Sequence, residues 1–115
     1  MNNLTTFSQL VTQFQIQDFV EKTIQQINKD LIGLSSSELK IIDVKNENVL
    51  DDLIADLSTE LAALSRSSQL QQFIYSVDLK ESEWLNFTSN LDFKGLAEQI
   101  IIREAQKVYL RVMFR

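Results

Sequence analysis

The side chains of this sequence best spaced for chemistry are basic. Arg103, Lys107 and Arg111 recur every four residues, and Arg115 continues the step. On a helix that spacing sets four cations along one face. Such a stripe can take a phosphate, a nucleic acid or an acidic protein surface. Carboxylates form a second stripe at Asp52, Asp56 and Glu60, and a looser group at Asp78, Glu81 and Glu83. Carboxylates on helices can hold Mg²⁺ when they converge on one cavity with several waters. The corresponding activity would be a Mg²⁺-dependent helical-bundle hydrolase acting on a phosphorylated small molecule.

Other routes to catalysis lack their side chains. The 115 residues include no His and no Cys, so no imidazole base, no thiolate and no Cys/His zinc pattern is available. The two glycines, Gly33 and Gly95, are too far apart for a phosphate-cradling loop. Ser35, Ser36 and Ser37 have no His to activate them. Tyr75 and Tyr109 fall on apolar helix faces and read as core aromatics, and Trp84 reads as core or interface. The pairs Asp18/Glu21 and Asp78/Glu81 sit where helices are expected to start, and capping accounts for them more simply than a metal does. No metal or other cofactor is expected.

The elements that would position these groups are helices. Hydrophobic residues make up 44% of the chain, Pro is absent and Gly appears only twice. That composition favours helices joined by Ser, Asn and Asp turns over a many-stranded sheet. Phe7, Leu10, Val11 and Phe14 share one helical face; Ile16, Val20, Ile24, Ile27 and Leu31 share another, rotated by roughly 140°. Two helices are therefore expected, near 7–14 and 19–32, with a break near Gln15 to Gln17 and a stop at Gly33. Leu50, Ile54, Leu57, Leu61 and Leu64 step by four and three, so 49–64 reads as a bundle helix capped by Asn48. Ser68-x-x-Gln71 resembles a capping box before Leu70, Phe73, Ile74 and Val77. A short helix is expected within 79–90. A final helix should run from about 93 to near the end, capped by Asp92 and stapled by Leu91 onto Leu96.

The expected fold is thus a single all-α domain, a compact bundle of about five helices with the C-terminal helix central. The alternative is a small α+β fold with a two-stranded ribbon from 39–44 and 73–77. The segment Met1 to Thr6 has neither a basic nor an apolar region of the kind a secretory signal needs, and no apolar run is long enough to span a bilayer. A cytoplasmic location away from membranes is expected.

Charge is unevenly divided. Residues 94–115 carry a balance of +3 and residues 1–93 one of −8, within a total of −5. The last helix is also apolar nearly all round, with Leu96, Ile100, Leu110 and Phe114 interleaved among its basic residues. A helix of that kind is buried centrally or buried against a second molecule. Three readings compete. In the first, its charges meet the acidic helix of the same chain or reach solvent. In the second, acidic and basic stripes pair across a two-fold axis between copies. In the third, the stripe captures an anion; the net acidity of the chain disfavours nucleic acid. The favoured function is a non-catalytic protein-interaction or structural module, self-associating or binding another protein. Its contact residues would be Leu96, Ile100, Arg103, Lys107, Leu110, Arg111, Phe114 and Arg115.

Overall fold

A computed structural model describes residues 17–31, 34 and 48–113. Among these residues five helices form and no strand does: α1 (Gln17–Leu31), α2 (Val49–Leu64), α3 (Gln69–Val77), α4 (Glu81–Ser89) and α5 (Phe93–Met113). The chain is an all-α bundle. The ribbon alternative fails at 73–77, which are the last residues of α3; Phe73, Ile74 and Val77 point inward together, as helical spacing requires. The expected helix at 7–14, its break, the stop at Gly33 and the segment 35–46 lie outside the described residues.

The central helix is α5, against which each of the other four packs. Its buried positions are Leu96, Ala97, Ile100, Ile101, Glu104, Ala105 and Val108. They cover about half of its circumference at 100° per residue. The two alanines let neighbouring helices approach closely. α2 supplies the largest facing surface, with Leu53, Leu57 and Leu61 fully buried. α1 adds Val20, Ile24, Ile27 and Leu31, while α3 adds Phe73, Ile74 and Val77. Each such side chain stabilises the fold by about 1.5–3 kcal/mol when removed from water. Trp84 of α4 is buried as well.

The joins are tight, and several differ from the expected caps. α3 ends with Asp78 in the left-handed region (φ 72°); the N–H groups of Asp78 and Leu79 return to the Tyr75 and Ile74 carbonyls. α4 ends in the same way, with Leu91 at φ 56° and the Leu91 and Asp92 N–H groups bonded to Thr88 and Phe87. These are Schellman endings with non-glycine residues at the left-handed position. Asp78 therefore ends α3 instead of capping α4, whose start is closed by Glu83 accepting the Lys80 N–H at 3.0 Å. Leu91 is 72% exposed and makes no staple with the buried Leu96, because its left-handed backbone turns it outward. Ser68 makes no capping hydrogen bond from its side chain; its backbone is helical, not extended. Asp92 does cap α5, its Oδ1 accepting the Gly95 N–H at 2.9 Å.

Gly95 is needed for packing. A Cβ there would lie 2.6 Å from the Phe87 ring, so α4 can close on α5 only over a bare backbone. Gly95→Ala should cost about 1–3 kcal/mol through overpacking, measured by urea unfolding, and Phe87→Leu in the same chain should recover part of it. Leu96→Ala and Ile100→Ala should each cost about 2–5 kcal/mol as core truncations. The loss should be the same at low and high protein concentration; a concentration-dependent loss would mark them as interface residues instead.

Candidate functional site

The structure brings the expected basic stripe against α1 and α3, not against the acidic stripe of α2. Arg103 Nη2 meets Asp78 Oδ2 at 3.0 Å. Lys107 Nζ lies 2.6 Å from Glu104 Oε1, 3.3 Å from Asp30 Oδ2 and 3.3 Å from the Ser76 carbonyl. Arg111 Nη2 donates to Gln26 Oε1 at 2.9 Å. The Gln26 amide in turn donates to Asp30 Oδ2 at 3.4 Å. A polar seam thus runs between α1 and α5, antiparallel, with Asp30 beside Lys107 and Gln26 beside Arg111.

Leu96 and Ile100, expected at a contact surface, are fully buried in the chain's own core. That is a correction with a simple cause. The apolar arc of α5 faces four helices at once, so residues on the basic flank are covered by α1 and α3. Leu110 remains at the surface, 37% exposed. Phe114 and Arg115 lie outside the described residues. Tyr75, expected in the core, is 61% exposed, with its hydroxyl accepting from Gln71 Nε2 at 2.8 Å.

The group missed from the sequence is Glu104. It is 0% exposed, in the middle of the buried stripe of α5. Its signal was available: it stands four residues from Ile100, three from Ile101 and four from Val108, at the centre of the apolar arc. Neither of its oxygens has a well-directed hydrogen bond, although Lys107 is close. Burial, and then the neighbouring Asp30 carboxylate, push its carboxyl from the ordinary 4.5 up to about 9, while Lys107 pulls the other way. At neutral pH Glu104 is therefore a neutral acid. Burying an unpaired carboxylate would cost several kcal/mol, and the proton removes that cost.

One neutral carboxyl, one carboxylate and one ammonium make a charge-balanced set. Asp30 and Lys107 reach the solvent edge; Glu104 does not. The described residues hold no group of three acidic side chains suited to a metal ion. Of the carboxylates considered for Mg²⁺, Asp78 is taken by Arg103 and Glu83 by the start of α4. A shallow depression of about 480 Å³ is lined by Glu81, Ser82, Leu85, Asn86 and Ser89, all on α4 and away from this set. No described helix is long and apolar enough to cross a membrane. Compared with known protein families, characterised proteins and solved structures, the chain matches none.

The sign of the pH dependence follows from the raised value. The folded chain holds the Glu104 proton more tightly than the unfolded chain does. Its stabilising effect is complete below about 4.5 and is lost as pH rises towards about 9. Unfolding free energy should fall by up to about 1.4 kcal/mol per pH unit across that window. Glu104→Gln keeps the shape without the proton, so it should abolish this part of the slope. It should be more stable than the parent at pH 8 by a wider margin than at pH 5. Equal slopes in the two chains would show that Glu104 is ionised in the fold.

Proposed function

We propose that this chain is a non-catalytic protein-interaction or structural module that assembles with a second copy of itself. The observation that carries the reading is the division of labour on α5. Its cations, the groups best able to seize a substrate or an anion, are engaged by Asp78, Asp30, Glu104 and Gln26. Large apolar side chains remain outside: Leu110 on α5, Tyr75 on α3, and Leu85 and Leu91 at α4 and its end. A two-fold pairing would cover such residues against their own mates. The apolar contacts would supply the affinity, and the surrounding charge would set orientation. The cytoplasmic setting expected from the sequence belongs to the same proposal.

Mass in solution tests it. Light scattering over a wide concentration range should give a dimer that dissociates on dilution. Leu110→Glu and Tyr75→Glu should lower the association constant by roughly tenfold or more each, about 1.4 kcal/mol, with the helical signal unchanged. The dimer should survive high salt, because apolar burial is not screened. A monomer at every concentration overturns the proposal.

A further inference from the structure

The three-helix junction around Lys107 holds more acceptors than one ammonium can serve. Lys107 Nζ is within 3.3 Å of the Asp30 carboxylate on α1 and of the Ser76 carbonyl on α3, and nearer still to Glu104 on its own helix. It is the one described cation that touches α1, α3 and α5 together. The charged groups around Glu104 come from few places. α1 contributes Asp30, with neutral Gln26 and Thr23 buried beside it, and Thr23 is already satisfied by the Phe19 carbonyl. α3 contributes the Ser76 carbonyl, with the Asp78–Arg103 pair beyond it. α5 itself contributes Lys107 and, a turn away on either side, Arg103 and Arg111. The buried side chains that α2 and α4 turn inward are apolar.

We propose that Glu104, Lys107 and Asp30 form a proton-operated latch that fastens the C-terminal end of α1 to α5. With its proton in place, Glu104 is neutral, and the charge of Lys107 is shared by Asp30 and the Ser76 carbonyl. Both helix ends are then clamped to α5. When a base takes the Glu104 proton, two carboxylates compete for one ammonium. Glu104 is the nearer and the more deeply buried, so it has no solvent to fall back on and takes Lys107. Asp30 stands at the edge and can turn to water. It is also repelled by the new charge beside it. The end of α1 that carries Asp30 is released, while α2 and α5 stay packed through Leu53, Leu57, Ile100 and Ile101. The proton goes to the solvent base, and no other bond is made or broken.

The test is methyl NMR on the full chain between pH 6 and 10. In the parent, the Ile27 and Leu31 methyls of α1 should shift or broaden together through a transition near pH 9. The Leu53 and Leu57 methyls of α2 should hold their positions. Asp30→Asn should move the transition to lower pH, because it removes the carboxylate that helps to keep Glu104 protonated. Glu104→Gln should leave the α1 methyls unchanged across the range. Three results would overturn the latch: α1 methyls indifferent to pH in the parent, all methyls changing together as the chain unfolds, or the same transition in Glu104→Gln. The parent spectra decide the first two, so the proposal stays open to refutation even if a variant fails to fold.

Discussion

A carboxyl group sits where the fold most needs an apolar side chain, and the arrangement of helices around α5 answers to it. Glu104 lies among Ile100, Ile101, Ala105 and Val108, sealed from water. An ionised carboxylate there would be opposed by desolvation of several kcal/mol, more than one partly exposed ammonium can return. The fold resolves this by keeping Glu104 protonated and giving the ammonium of Lys107 to Asp30. The apolar residues supply most of the stability. The polar seam adds selection of register: sliding α1 one turn along α5 would part Asp30 from Lys107 and Gln26 from Arg111 at once.

The short helices serve the same centre. α3 stops at Asp78 in a left-handed turn, which leaves the Ser76 carbonyl facing Lys107 and the Asp78 carboxylate facing Arg103. α4 turns back at Leu91, and Gly95 lets Phe87 lie against the first turn of α5. Both turns use residues other than glycine at a left-handed position, at a cost of about 1 kcal/mol each. At Asp78 the ion pair with Arg103 offsets this. Leu91 has no such contact and is left projecting into solvent.

Much of this was legible in the sequence wherever one short-range signal dominated. The steps of four and three from Leu50 to Leu64 place α2 to the residue, and Asp92 marks the start of α5. The central position of α5 follows from its nearly unbroken apolar circumference. What was not legible rests on pairings distant in the chain. Lys107 and Asp30 are 77 residues apart, and Arg111 and Gln26 are 85 apart, so no local pattern joins them. The acidic residues of α2 looked like the natural mates of the basic stripe because they are numerous and evenly spaced, yet single acids on α1 and α3 take that place. Glu104 escaped notice because a charged residue type is read as surface even where every neighbour at helical spacing is apolar. Leu96 and Ile100 were set beside the cations for the complementary reason: a wheel shows which residues share a flank, not which flank another helix will cover.

The account depends on Glu104 being a neutral acid inside the folded chain. The ¹³C resonance of its side-chain carboxyl, assigned by comparison with Glu104→Gln, reports this directly. At pH 7 it should stand at the protonated position and titrate only near pH 9. A carboxylate resonance at pH 7, with titration in the ordinary range of surface acids, would contradict the account.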